Sequence, residues 1–460
     1  MTATTPPVRN NRMLTAEQLR DLILAGDIDT VVLGFTDMQG RLQGKFIHGR
    51  FFLDSVLAHG TEGCNYLLAV DVEMNTVDGY DISSWDKGYG DMVFELDLAT
   101  IRLLPYRPGT ALIQCDLALV DGSPVRVSPR AILRAQTDRA AKLGFTALAG
   151  TELEFVLFDT SYEDAWNSGY RDLTPANLYN VDYSVLGSSR VEPLLRDIRN
   201  QMYAAGLDVE SAKGECNLGQ HEIAFKYAEV ITTADNHTVY KTAAKDIAHQ
   251  RGKALTFMAK PNEREGNSCH IHMSLRGLDG SIAFWDEDAG APTALYQHFI
   301  AGVLRTMREF TLFYAPNINS YKRFVEGSFA PTAVAWGHDN RTCSVRLVGS
   351  GPAARMENRL PGGDVNPYLA MAAMLAGGLY GVEHELPLEP ETRGSAYASG
   401  APTVPTTLRE ARDVFAASEI AHSVFGDDVV AHYLNYADVE LAEFESAVTD
   451  WELRRGFERL

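Results

Sequence analysis

Residues 150–158, Gly-Thr-Glu-Leu-Glu-Phe-Val-Leu-Phe, place two glutamates on alternate positions of an apolar, aromatic run. That spacing predicts a buried strand with Glu152 and Glu154 on one face. Upstream, Thr15-Ala-Glu-Gln18 predicts a capping box opening a helix to Leu24. Apolar runs over Val31–Phe35 and Arg41–Ile47, joined by the turn Asp37–Gly40, predict a hairpin. Further short strands are expected near 66–73, 92–97 and 111–120. The pattern changes at Arg126-Val-Ser-Pro-Arg130, where Ser128 as N-cap and Pro129 at N1 predict an amphipathic helix to about Leu143. After the glutamate strand the pattern predicts a polar loop to about 190 and a helix over 193–205. Strand-like segments over 208–227 and 257–275 flank a helix over 234–250. A strongly apolar helix runs from Ala294 to about Phe313, and another, capped by Asn366 and Pro367, runs to about Val382. The latter is apolar nearly all round, hence buried. Residues 386–407 read as a surface loop and residues 1–12 as a disordered tail. The alternation predicts an α+β protein: a small β-rich domain over 13–125 and a large α+β domain over 126–460.

Composition narrows the partners. A net charge of −20 gives no basic face for nucleic acid and disfavours anionic lipid. No apolar run is long enough to span a membrane. Five widely spaced cysteines with no Cys-x-x-Cys pair suit a reducing compartment and exclude a thiolate zinc site. The expectation is a soluble, cytoplasmic protein.

The chemistry lies in acidic and imidazole positions that share strand faces. Two like charges on a core strand are costly unless a cation joins them. Besides Glu152 and Glu154, Glu215 and Glu222 flank Cys-Asn-Leu-Gly-Gln-His. His270 and His272 alternate in Asn267–Ser274, and Glu357 alternates with Arg359. Carboxylates dominate and thiolates are absent, so the expected metal is Mg²⁺ or Mn²⁺, with two or more ions. Arg323, Arg341, Arg346, Arg355 and Arg359 supply guanidinium forks suited to carboxylate and phosphate oxygens. Arginines beside magnesium carboxylates suit phosphoryl transfer. Neither a P-loop nor a Gly-x-Gly-x-x-Gly motif is present, so a nucleotide would be held another way.

Taken in order, the motifs Phe35–Leu42, Gly150–Glu154, Glu215–Glu222, Gly266–His272, Asn340–Arg346 and Glu357–Arg359 with Asn366-Pro-Tyr368 resemble the glutamine synthetase family along nearly the whole chain. The resemblance is nearest the branch that makes γ-glutamyl amides from larger amines. It implies a β-grasp N-terminal domain and a catalytic antiparallel-sheet domain with helices. It also implies a dodecamer of two hexamer rings, each site completed by a neighbour's N-terminal domain. By matching position, Glu154, Glu215 and Glu222 would hold one Mg²⁺, and Glu152, His270 and Glu357 the second. Glu210, His272, Ser274, Arg341, Arg346 and Arg355 would serve ATP, and Gly266, Arg323 and Arg359 the substrate glutamate. The implied reaction is attack of the γ-carboxylate on the terminal phosphate of ATP, then displacement of phosphate by an amine.

Three departures bear on the amine. The flap position where ammonia-using members carry a glutamate is Phe329, a ring that packs against carbon and accepts no proton. The ammonium-site loop reads Tyr80-Asp-Ile-Ser-Ser84, with Asp81 at the matching aspartate. Glu265 replaces an asparagine facing the substrate glutamate, and Glu326 adds a carboxylate to the flap. The expectation is an ATP-dependent ligase joining glutamate to a small primary amine of ethanolamine or polyamine type. The alternatives are an ordinary glutamine synthetase using Asp81 or Glu326 as base, and a non-catalytic ring protein.

Overall fold

The computed structural model describes residues 13–460, so the disordered tail expected over 1–12 lies outside the described residues. Two sheets organise the chain. The first orders its strands β2-β1-β6-β4-β3, with β5 beside β6. These are β1 (Thr30–Thr36), β2 (Leu42–His48), β3 (Thr61–Cys64), β4 (Asp91–Leu96), β5 (Arg102–Leu103) and β6 (Thr110–Leu119). All pairs are antiparallel except β1 with β6. The Ala16–Ala25 helix opens on the expected capping box of Thr15 and Gln18. The strand expected near 66–73 is instead a short 3-10 turn over Asn65–Leu68, preceded by β3.

The second sheet is the scaffold of the site. Its order is β15-β16-β17-β12-β7-β9-β8, with β10 and β11 also on β7. The strands are β7 (Phe145–Phe158), β8 (Val209–Gly214), β9 (Gln220–Phe225), β10 (Ala228–Glu229), β11 (Ala254–Thr256), β12 (Cys269–Gly277), β15 (Trp336–His338), β16 (Val345–Val348) and β17 (Arg355–Asn358). A small hairpin, β13 (Trp285–Asp286) with β14 (Ala291–Pro292), stands apart. Fourteen-residue β7 is the spine, and its apolar side chains Leu153, Phe155 and Leu157 are fully buried.

Helices cover the back of this sheet. Val230–Gln250 packs on β7, and Pro367–Glu383, buried nearly all round as expected, packs against Pro129–Lys142 and Ala294–Thr306. Ser128 occupies the N-cap of Pro129–Lys142 but its side chain makes no capping bond. Asn366 does cap its helix, accepting from the Tyr368 and Leu369 amides. Its Nδ2 donates to the carbonyls of Asp37 and Met38, tying the β1–β2 turn to this buried helix. The helix expected to reach Phe313 divides into Ala294–Thr306 and Thr311–Tyr314. No described helix is long and apolar enough to cross a membrane.

Candidate active site

Strand register assembles the site. Across β7 and β12, Glu152 pairs with His270, and across β12 and β17, His272 pairs with Glu357. Across β7 and β9, Glu154 faces Glu222, and across β16 and β17, Arg346 faces Glu357. Because alternate residues share a face, these registers place the acidic and imidazole groups together.

Two trios result. Glu152, His270 and Glu357 each offer a ligand atom, and these atoms lie within 4.8 Å of one another. The same holds for Glu154, Glu215 and Glu222. In the first trio, Glu152 accepts from His270 Nδ1 at 3.3 Å and from His272 Nε2 at 3.0 Å. Burial raises the Glu152 carboxyl, but the two imidazole hydrogen bonds outweigh it and hold the group far below the usual carboxylate range. Glu357 is fully buried; Arg346 Nη1 donates to it at 3.0 Å and Arg359 Nη1 to its other oxygen. His270 Nε2 is buried with no hydrogen-bond partner among the described residues.

The second trio is more heavily anionic. The Ser268 amide donates to Glu154 at 2.7 Å, and Gln220 Nε2 donates to it at 3.1 Å, which fixes the carboxylate's aim. Burial, opposed by Lys213 and reinforced by Glu152 and Glu154, pushes Glu222 up to about 8. Such a group stays protonated at neutral pH unless a further cation joins it, and hard oxygen donors suit a divalent ion. Lys213, from β8, hydrogen-bonds Glu215 and lies 3.7 Å from Glu222. Sequence reasoning passed over this lysine, although Lys213 and Glu215 stand two apart in an alternating stretch.

Beside the first trio opens a cleft of about 420 Å³, lined by Glu152, Glu210, His272, Ser274, Arg276 and Arg355. Four of the six residues expected to serve ATP therefore share one space. Arg355 Nε donates to His272 Nδ1 at 3.3 Å, which orients the imidazole. Arg276 was not anticipated; it sits four residues beyond His272 on β12. Arg346 and Arg341 converge instead on Asp339, with Arg341 exposed and 3.8 Å away.

The expected glutamate-binding groups cluster beneath the flap. Arg323 is buried and donates to Ser268 Oγ and to the carbonyls of Leu360 and Arg359. A Cβ on Gly266 would lie 2.9 Å from Arg323 Cγ and 2.4 Å from the Ala259 carbonyl, so only glycine allows this approach. Arg359 Nε and Glu265 Oε2 are buried polar atoms with no partner among the described residues. Phe329 stands on the flap with its ring 58% exposed and φ at +59°, unusual for an aromatic residue. Its carbonyl accepts from Arg359 Nη2 at 3.4 Å, and the next carbonyl, of Ala330, accepts from Tyr397 at 3.0 Å. Glu326 is exposed on the same flap. Asp81 stands outside the cleft: its carboxylate is fully exposed and, among the described residues, pairs with Lys87.

Residues 126–456 match the glutamine synthetase catalytic domain family. The chain is 62% identical to the gamma-glutamylethanolamide synthetase GlnA4 of Streptomyces coelicolor over 456 residues, covering 99% of this chain and 97% of the relative. It is 38% identical over 444 residues to the glutamate–isopropylamine ligase of a Pseudomonas species, covering 95% and 97%. A solved complex titled GmaS with ADP superposes with a TM-score of 0.83 at 27% identity, covering 96% of this chain and 99% of that one.

Proposed function

Because the chain belongs to the glutamine synthetase family, we propose that it is an ATP-dependent C–N ligase that joins the γ-carboxylate of glutamate to a small primary amine larger than ammonia. The ligase reading is carried by the two converging trios, Glu152/His270/Glu357 and Glu154/Glu215/Glu222. The relatives named for γ-glutamylethanolamide synthesis and for an isopropylamine substrate support the choice of an organic amine, ethanolamine first.

The donor set fits divalent metal, with Mg²⁺ or Mn²⁺ assigned one to each trio, on oxygen-rich ligands and the elevated Glu222. Such ions, when bound, neutralise charge on a transferring phosphoryl group. The chain's own part is positioning. Arg355 and the His272 imidazole it orients flank the cleft assigned to ATP, with Glu210 and Ser274 on the same wall. Arg346 and Arg341 are assigned to drawing off developing negative charge. Arg359, whose carbonyl accepts from the buried Arg323, is assigned with Arg323 and Gly266 to the carboxylate of glutamate. With the γ-carboxylate held against the terminal phosphate of ATP, its oxygen attacks the γ-phosphorus, the bond to the bridging oxygen breaks, and γ-glutamyl phosphate and ADP result. The amine nitrogen then attacks its carbonyl carbon, phosphate leaves, and the nitrogen gives up a proton. Phe329 offers that amine a carbon surface rather than a base.

Asp81 and Glu326 are assigned to the amine's proton or charge. Asp81 is exposed and lines no part of the cleft, which is compatible with a site completed by a neighbouring copy's first sheet; the assembly proposed from the family is a twelve-membered double ring. Cytoplasmic residence is inferred from the reducing-compartment cysteine pattern.

A phosphate-release assay with glutamate, ATP and a panel of amines tests the reading. Ethanolamine or another organic amine should exceed ammonium in kcat/KM. Ammonium turning over as well as every organic amine would overturn the amine assignment.

A further inference from the structure

Away from the candidate active site, a cavity of about 680 Å³ opens between the β1–β2 turn and the Val230–Gln250 helix. Along that helix, Lys241, Lys245 and His249 recur every fourth residue and so form one stripe, which lines the cavity. His249 is 3.7 Å from Glu163, but among the described residues neither lysine has a carboxylate within ion-pair distance. Both ammonium groups stand over the Phe257 ring, at 5.6 and 6.0 Å from its centre.

The two arginines that line the cavity are already engaged. Arg41 is held by Asp37 at 2.8 Å and by the Val72 carbonyl at 2.6 Å. Arg107 is paired with Asp246 at 2.6 Å. Asp364 accepts from Asn317 and Ser320 through Oδ2, while its buried Oδ1 has no hydrogen-bond partner among the described residues. Two like charges one helical turn apart and facing one space, Lys241 half-buried and Lys245 exposed at its mouth, are mutually repelled. Burial and the neighbouring Lys245 lower Lys241 to about 8, against the attraction of Asp364. A small anion bridging both ammonium groups would relieve that repulsion through charge-assisted hydrogen bonds.

We propose that this cavity is a binding site for a small dianion, gripped by Lys241 and Lys245 on one wall and closed by the β1–β2 turn on the other. The ligand chemistry, two negative charges on a compact body, is shared by phosphate groups and by dicarboxylates. Because one wall comes from the first sheet and the other from the helix behind the second, an occupant would clamp the two sheets together, away from the chemistry.

The test is calorimetric titration of the full-length protein with inorganic phosphate and, separately, with succinate. Saturating ADP, Mg²⁺ and glutamate occupy the candidate active site throughout. At least one anion should bind with a dissociation constant of millimolar order or tighter. Lys245→Met should weaken that binding at least about tenfold, whereas Lys245→Arg, which keeps the charge, should restore most of it. Lys245 lies at the cavity mouth, so either variant should fold as the parent does, checked by circular dichroism. Binding of phosphate alone identifies a phosphate-bearing ligand, and binding of succinate alone a dicarboxylate; both support the site. No binding of either anion up to about 10 mM, or equal binding by the Lys245→Met protein, would overturn it.

Discussion

At the scale of single residues, the site rests on groups that would be unstable alone. Glu357 is fully buried and reaches its charge balance through Arg346 and Arg359. Replacing it by glutamine keeps the shape and removes the charge. Turnover of Glu357→Gln should fall by about 10²–10³, the loss expected when one group that stabilises transferring charge is removed. Phosphate release at saturating substrates, with circular dichroism to confirm the fold, checks this. Phe329 permits the opposite experiment. Its side chain is exposed, so Phe329→Glu should cost little stability, and a carboxylate there can bind ammonium. The variant's kcat/KM for ammonium should rise relative to that for ethanolamine, measured in the same assay. The acidic and imidazole residue types and their sharing of strand faces were legible in the sequence. Lys213 was not, because a lysine near glutamates reads as a solvated ion pair until the fold buries the glutamates.

At the scale of elements, strong periodicity translated well and capping less well. The 230–250 helix begins four residues earlier than the pattern suggested. Its N-cap is Glu229, whose carboxylate accepts from the Ile231 and Thr232 amides, and glutamate is outside the usual capping set. Residues 66–73 are apolar enough for a strand, yet the first sheet already has its edge at β3 and the chain turns away. The helix pair Ala294–Thr306 and Pro367–Glu383 crosses where glycine meets glycine. A Cβ on Gly302 would lie 2.1 Å from the Gly377 carbonyl and 2.6 Å from Gly381 Cα. No flexible side chain can yield there, so Gly302→Ala should destabilise the protein by about 2–4 kcal/mol. A lower thermal midpoint by differential scanning fluorimetry checks it. The small-residue crossing was invisible in a one-dimensional pattern, where glycine in a helix signals only weakness.

At the scale of the whole molecule, buried charge and buried imidazole join the two sheets. Arg130, almost fully buried, reaches Asp97 and Asp116 from the first sheet and Asp235 from the helix behind the second. His432, on the Asp427–Ser446 helix, meets Met38 Sδ at 2.8 Å and the Tyr80 ring at 4.6 Å. Burial pushes His432 down from its ordinary 6.5 to about 3. Below pH 6.5 the unfolded chain therefore takes up a proton that the folded chain refuses. The stability tied to neutral His432 is present above pH 6.5 and is lost as pH falls toward 3, at up to about 1.4 kcal/mol per unit. Glu440, raised to about 7 by burial and neighbouring carboxylates, pulls the other way, so a variant isolates the histidine. Between pH 7 and pH 5, His432→Gln should lose roughly 2 kcal/mol less stability than the parent, read by urea denaturation at the two pH values.

The sequence by itself determined the family, the strand faces and the chemical identity of the six acidic and imidazole groups, because residue type and a two-residue period survive in one dimension. Only the tertiary structure decided which of them meet. Glu152 is 118 residues from His270, and that approach is set by the β7–β12 register, which short-range pattern does not encode. The same holds for Lys241 and Lys245, whose want of a carboxylate partner is a property of the space around them.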